Sequence, residues 1–322
     1  MVSSHPLVTA CVPAFNGEEF ITQTIDSVCS QTIDNIHIMI SVDLSDDETL
    51  KICRSRFADR GIEIIEQKQR LGFVGNIEYL LNSVKTPFAF LMPHDDLIEP
   101  TYVEVLLKLL QEQKEASVAY CDIQRFGLAD TVFRQSPAKG ELLYRILHYL
   151  KHIDGAVPFR GLIRMDMLNR PIQLPANSFD NYAVDTTFIL QLLTYGEFVH
   201  HEACLYRKRI HSESKYQEWV SQSVAWRREA WLAHCIDCAK VALKVVRKDK
   251  DIEMMMTALC DRLLMTERDL WWPTKIRGST QPEKNNLLRE FLQQCARVAP
   301  EGCSKLVVQK RFEELIKEGQ GV

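Results

Sequence analysis

The chain has 322 residues, enough for one large domain with an appendage or for two domains. Its 39 basic and 43 acidic side chains leave a net charge of −4, so no global field recruits nucleic acid. No apolar stretch approaches the ~20 residues of a membrane span, and the opening lacks a basic region followed by an apolar one, so a cytoplasmic chain without a signal peptide is expected.

Leu7 to Val12, ended by Pro13, reads as a first strand, and Asn16 with Glu19 reads as a capping box that opens a helix. Ile36 to Val42 is a second strand that ends in the polar turn Asp43 to Asp47. A helix over Glu48 to Phe57, a strand over Ile62 to Ile65 and a helix carrying Ile77, Leu80, Leu81 and Val84 follow. Phe88 to Met92 is a fourth strand, which delivers His94, Asp95 and Asp96 to its end before Pro100 opens another helix. Val118 to Asp122 is a fifth. Strands alternating with helices at this rhythm predict an α/β fold with a mainly parallel sheet and helices on both faces.

Beyond Gly127 the pattern loosens, with helices predicted over Glu141 to Lys151 and Thr186 to Leu193 and an extended stretch over Phe198 to Tyr206. From Lys215 the chain reads as helical throughout: one long helix to Lys248, a second from Asp251 to Trp272, a third started by Thr280 and Pro282, and a fourth capped by Ser304. The expected division is residues 1–214 as an α/β domain and 215–322 as a helical one. Ten scattered cysteines read as small buried hydrophobes. Cys235 and Cys238 have the spacing of half a zinc or redox site, but no second pair accompanies them.

Three strand ends carry polar residues suited to one ligand: Pro13 to Asn16, Asp43 to Asp47, and His94 to Asp96. In a parallel sheet they open on one edge, where such folds bind ligands. Asp43 suits the N–H or O–H donors of a base or ribose, and Arg70 suits a base or phosphate. Asp95 and Asp96 are oxygen donors for Mg²⁺ or Mn²⁺, with Asp96 on the metal. No Gly-x-Gly-x-x-Gly follows the first strand and no Walker lysine occurs, so a diphosphate here needs a cation in place of a glycine cradle.

In order and spacing these segments resemble the family 2 glycosyltransferases, inverting enzymes of the GT-A fold. The resemblance covers roughly residues 6 to 215. Val12 to Glu18 is similar to the family's opening strand and turn, Ser27 to Thr32 to its helix end, and Ser41 to Thr49 to its nucleotide-binding turn. Pro93-His94-Asp95-Asp96 stands at the metal-binding Asp-x-Asp position, with His94 in place of the first acid. The resemblance implies a nucleotide-sugar donor, UDP-linked, with Asp43 on the base, Ala14 and Phe15 lining its pocket, Asp95 at the ribose or a phosphate-side water, and Asp96 on Mn²⁺ or Mg²⁺. It implies that Asp185 is the base that deprotonates the acceptor hydroxyl, with Asp180 as fallback. Tyr206 to Ser214 is similar to the family's closing segment, so Arg207 is expected at the diphosphate and His211 at phosphate or metal.

The acceptor class stays open among saccharide, lipid-linked and protein hydroxyls. Trp219, Trp226, Trp231, Trp271 and Trp272, with basic neighbours, read as a helical cap packed on the α/β domain or a homodimer interface, with a peripheral contact at the inner face of the membrane as the alternative. Ala225 stands where the Gln-x-x-Arg-Trp signature of processive synthases has arginine, so single addition is expected. Leu44, His94 and Val184 depart from the family pattern and define the alternative, a degenerate module that binds a nucleotide sugar or a partner protein.

Overall fold

The computed structural model describes residues 5–152, 156–212, 215–264, 280–299 and 314. They fall into two compact units. One is drawn from Met1–Pro137, Ala156–Leu174 and Tyr195–Ser212, the other from Ala138–Gly155, Pro175–Thr194 and Glu213–Val322. A single cut at residue 214 therefore does not follow the packing, because two earlier segments group with the tail.

The first unit is built on a nine-stranded sheet. Its strands are β1 (Val8–Ala14), β2 (His37–Val42), β3 (Glu63–Glu66), β4 (Phe88–Leu91), β5 (Leu97–Ile98), β6 (Ala116–Gly127), β7 (Val132–Phe133), β8 (Leu162–Arg164) and β9 (Glu197–Ile210). The order is β3-β2-β1-β4-β8-β6-β9-β5, with β7 on β6. The half from β3 to β4 is parallel, as the alternation of strands and helices predicts. Beyond it the sheet is mixed, because β8 runs antiparallel to both β4 and β6. All of β4 and nearly all of β1 and β2 are buried, the signature of strands covered on both faces. Helices α1 (Ile21–Cys29), α2 (Thr49–Phe57), α3 (Gly72–Ser83) and α4 (Tyr102–Glu112) supply that cover from their apolar faces, for example Val103, Leu106, Leu107 and Leu110 of α4. Pro13 is tolerated inside β1 because the pairing with β4 ends at Cys11, so its missing N–H breaks no bond on that side.

The capping box expected at Asn16 is replaced by something else. α1 starts at Ile21, and Asn16 takes a φ of 45° in the turn before it. Its side chain and that of Glu18 are spent on the turn after β2: Asn16 Oδ1 accepts from Asp46 N–H at 2.9 Å and Glu18 Oε2 from Glu48 N–H at 2.9 Å. In return Asp47 Oδ2 accepts from Glu18 N–H at 2.9 Å, and Thr49 Oγ1 from Gly17 N–H at 2.7 Å. The acidic turn residues thus lace two strand ends together.

The second unit is helical: α5 (Leu142–His152), α6 (Val184–Tyr195), α7 (Lys215–Ser221), α8 (Val224–Ala242), α9 (Asp249–Leu263) and α10 (Gln281–Val298). The single helix predicted from Lys215 to Lys248 breaks at Ser223, whose hydroxyl caps α8 by accepting from Trp226 N–H at 3.1 Å. α9 runs to Leu263 with Leu264 as its C-cap, and the rest of the helix predicted to Trp272 lies outside the described residues. Thr280 starts α10 as expected, with its N–H on Glu283 at 2.7 Å. The helix expected after Ser304, and Trp271 and Trp272, lie outside the described residues. Among those described, no helix is long and apolar enough to cross a membrane.

Candidate functional site

The ends of β1, β2 and β4 meet at one edge of the first unit, and β9 reaches the same place through β5. The antiparallel pair Leu97↔Arg207 and Ile98↔Tyr206 clamps the loop after β4 to the last turn of β9. Register shifts between β6 and β9 around Cys121 to Ile123 reset which β9 side chains face the loop. Two carboxylates at this edge are enclosed by protein donors, and one is left partly open.

Asp43 closes β2 and is 2% exposed. Its Oδ1 accepts from Leu71 N–H at 2.9 Å and Leu44 N–H at 3.0 Å, and its Oδ2 from Gly72 N–H at 2.8 Å. The positive φ of Gly72, 68°, is a conformation that costs glycine little, and it opens α3 beside the carboxylate. Asp43 therefore satisfies unpaired N–H groups and the positive pole at the start of α3. Arg70 Nε stands 3.4 Å from Asp43 Oδ2, and its Nη1 donates to Leu44 carbonyl at 3.0 Å. This holds the guanidinium over Phe15, its Cζ 3.2 Å from the ring centroid. Phe15 is partly buried beneath the exposed Arg70. Ala14, 1% exposed, underlies it by accepting from Asp43 N–H at 2.9 Å.

Asp96 is 1% exposed and fully engaged. Oδ1 accepts from Arg209 N–H at 2.8 Å, and Oδ2 from Tyr206 hydroxyl at 2.8 Å and Arg160 Nε at 3.2 Å. Burial and the charge of Asp95 push its carboxyl above the usual range, against the pull of Arg160, Lys208 and Tyr206. Burial and the Asp96 charge push the Tyr206 phenol well up, which keeps it a donor. The expectation that Asp96 faces a cation meets this obstacle: its oxygens point into the protein.

Asp95 is the open member of the pair, with 21% of its side chain exposed. Its Oδ2 lies 3.0 Å from His211 Nε2, and the His211 ring rests on Phe20 at 5.3 Å between centroids. Burial raises the Asp95 carboxyl, but the His211 hydrogen bond and the charges of His94, His211 and Arg160 outweigh it and hold it below the usual range. His94 fills space between strand ends, with Nδ1 3.4 Å from Pro13 carbonyl. It packs so closely on Gly17 that a Cβ there would sit 2.5 Å from its ring. Thr24 hydroxyl secures the loop from beneath, 2.7 Å from His94 carbonyl and 2.9 Å from Asp96 carbonyl.

Pro13, Ala14, Phe15, Asn16, Asp43, Arg70, Asp95, Asp96, Arg207 and His211 thus all belong to the first unit. Arg207 stacks on Phe126 at 4.8 Å beside Arg209, which reaches the same ring at 4.5 Å and donates from Nε to Asp95 carbonyl at 2.9 Å. Asp185 belongs to the helical unit, in the first turn of α6, where its Oδ1 accepts from Thr186 N–H at 2.8 Å. Sequence reasoning did not assign Thr24, Arg160 and Arg209. Arg160 sits in a short turn after Val157 with no motif around it, and Arg209 acts through its backbone N–H as much as its side chain.

Trp219, Trp226 and Trp231, three of the tail tryptophans, pack within the helical unit. Trp226 meets Phe179 and Tyr182 edge-on, Trp219 meets Tyr182, and Trp231 Nε1 donates to Leu263 carbonyl at 3.0 Å. Cys235 and Cys238 are buried free thiols. Among the described residues no group of three or more His, Cys, Asp or Glu is arranged to hold a metal.

Known proteins match this arrangement. The family model described as Glycosyl transferase family 2 matches residues 9–170. An uncharacterized glycosyltransferase of Haemophilus influenzae is 24% identical over 259 residues, covering 77% of this chain and 80% of its own. Some other curated relatives are much longer, and the chain spans 18–21% of three of them. Among solved structures, S. aureus TarS 1-349 in complex with UDP-GlcNAc aligns with a TM-score of 0.63 at 17% identity, over 97% of this chain and 90% of that one. The mannosyltransferase PcManGT of Pyrobaculum calidifontis, in complex with GDP-Man and Mn²⁺, aligns at 0.51 and 13% identity, over 99% and 83%. These structures share the GT-A fold that the strand order and helix cover describe. With more than half of its length matched, the chain belongs to the glycosyl transferase family 2 and is a glycosyltransferase.

Proposed function

We propose that this enzyme moves a single sugar from a UDP-linked donor to a hydroxyl acceptor with inversion at the anomeric carbon. The observation that carries the reading is the edge where the Phe15–Arg70 stack and the Asp95–His211 pair stand side by side on adjacent strand ends. A cationic-aromatic surface suits a base, and a partly open carboxylate with an imidazole suits the diphosphate end. The likeness to TarS bound to UDP-GlcNAc supports UDP as the nucleotide.

The donor set also fits a divalent cation, on Asp95 and His211 rather than on Asp96. One carboxylate oxygen and one imidazole nitrogen are too few for a closed protein cage, but they match Mg²⁺ or Mn²⁺ bound with help from substrate phosphates and water. When bound, such a cation would neutralise charge on the departing diphosphate. The complex of PcManGT with Mn²⁺ supports this choice of ion. Arg160, Tyr206 and Arg209 hold the Asp95–Asp96 loop so that Asp95 stays turned outward. Arg207 and Arg209 keep positive charge beside it.

Asp185 acts as the base. It takes the acceptor hydroxyl proton as that oxygen attacks the anomeric carbon from the face opposite the leaving nucleotide. Asp185 is only partly buried, with Oδ1 accepting from Thr186 N–H in its own turn, which supports access by an acceptor. The donor-end residues belong to the sheet unit and Asp185 to the helical unit. The free buried thiols support a reducing, cytoplasmic compartment.

The test is Asp185→Asn. We expect turnover of a UDP-sugar to fall by roughly 10²–10⁴-fold while UDP affinity stays at the wild-type value. Retained turnover would remove Asp185 from this role and direct attention to Asp180.

A further inference from the structure

The backbone leading into α6 is strained. Asp180, Asn181 and Ala183 hold φ of 52°, 55° and 54°, in the left-handed region that residues other than glycine rarely adopt. Such an approach persists only where neighbouring packing over-determines it. Asp185 stands two residues beyond Ala183, and the two residues that follow it are each gripped by a buried side chain. Tyr149 hydroxyl, from α5, donates to Thr186 carbonyl at 3.3 Å. Thr187 Oγ1 lies 3.1 Å from His234 Nδ1, from α8.

His234 is itself held from behind. It is 0% exposed, and its Nε2 lies 3.0 Å from Arg262 Nη2 on α9, with Cys238 Sγ at 3.6 Å. A guanidinium has only donors to offer, so Nε2 must present its lone pair. The imidazole proton then sits on Nδ1 and is donated to Thr187. Arg262 is 1% exposed, gives Nη1 to Leu150 carbonyl on α5 at 3.2 Å and lies 5.3 Å from the Trp231 ring centroid. Its partners among the described residues include no carboxylate. A buried cation of this kind adds little stability compared with apolar packing of the same volume. What it does supply is a fixed donor, and that donor sets the tautomer and direction of His234.

We infer that Arg262, His234 and Thr187 form a positioning relay that fixes the first turn of α6 and, with it, the direction of the Asp185 carboxylate. The inference rests on Asp185 being the base. None of the three touches substrate in this scheme: Arg262 orients His234, His234 holds Thr187, and Thr187 is one helical half-turn from the carboxylate.

The test compares Thr187→Val, which keeps shape and removes only the hydroxyl, with Thr187→Ser, which keeps the hydroxyl, and with Asp185→Asn. The readout is UDP release from whichever donor of a UDP-sugar panel the wild type turns over fastest, together with amide hydrogen exchange in α6. The relay predicts that Thr187→Val lowers kcat by about tenfold or more, since small misplacements of a reacting group cost that much. Donor KM should stay within about twofold, the pattern of an interaction felt in the transition state. Exchange should rise in the first turn of α6 and not in α9 or α10, and Thr187→Ser should restore both values. Wild-type kcat in Thr187→Val, or a joint fall of kcat, donor affinity and melting temperature that Thr187→Ser does not repair, would overturn the relay. Full turnover in Asp185→Asn would instead remove the base beneath it, and the relay with it. A wild type that turns over no UDP-sugar would contradict the donor assignment itself.

Discussion

The two polar centres of this chain handle buried charge in opposite ways. At the sheet edge, the carboxylates of Asp43 and Asp96 collect every donor within reach, from backbone N–H groups, Arg160 and Tyr206. In the helical unit the guanidinium of Arg262 rests on a neutral imidazole, a carbonyl and an indole face. The two arrangements serve different ends. Closing off Asp43 and Asp96 makes a rigid rim from which Asp95, His211 and the Phe15–Arg70 stack project. The Arg262 centre projects nothing; it spends its charge on the direction of hydrogen bonds inside the unit.

The largest expected effect that sharpens this contrast is at Asp96. Asp96→Ala removes the buried carboxylate that accepts from Arg160, Tyr206 and Arg209, and loss of one member of such a buried network costs about 3–5 kcal/mol. Asp95→Ala removes a partly exposed carboxylate and should cost about 1 kcal/mol or less. Urea denaturation of the two variants measures both. Equal losses would contradict the division of the pair into an enclosed and an open member.

A smaller effect separates the centres by pH. Burial and the charge of Arg262 hold the His234 imidazole well below its ordinary range. The unfolded chain therefore binds a proton that the folded chain refuses. Stability contributed at this site is intact above the unfolded value and is lost as pH falls below it, by at most about 1.4 kcal/mol per pH unit. Denaturation midpoints at pH 7.5, 6.5 and 5.5 should show this acid limb, and His234→Asn should flatten it. An unchanged limb in that variant would mean that His234 is protonated in the fold. Asp95 is the counterpart at the sheet edge: its carboxyl is held below the usual range, so its contribution is lost only at lower pH, as it becomes protonated.

Much of the fold was legible because it depends on local periodicity. The runs at Val8 to Val12, His37 to Val42 and Phe88 to Leu91 are mainly apolar, broken only by Thr9, His37 and Ser41, and a strand buried on both faces asks for such a run. The convergence of Pro13 to Asn16, Asp43 and His94 to Asp96 followed from parallel pairing alone. What local pattern does not carry is partner choice across long separations. Asp95 and Asp96 are chemically alike in sequence; which one faces outward is decided by Arg160, Tyr206 and Arg209, 64 to 113 residues away. Asn16 read as a helix cap because capping chemistry is local, whereas its actual partners, Ser45 and Asp46, belong to the next strand end. Ser223 carried a cap signal that a continuous apolar pattern masked. The grouping of Ala138–Gly155 and Pro175–Thr194 with the tail has no signature in composition at all.

A donor site at the sheet edge, with Asp95 rather than Asp96 turned to the ligand, can be probed by titration calorimetry of UDP in Mn²⁺ and in EDTA. Wild type should bind UDP more tightly with Mn²⁺, and Asp95→Ala should lose that difference while keeping its fold. UDP binding by Asp95→Ala that still strengthens with Mn²⁺ would contradict the assignment of Asp95, and no UDP binding by folded wild type would contradict the site.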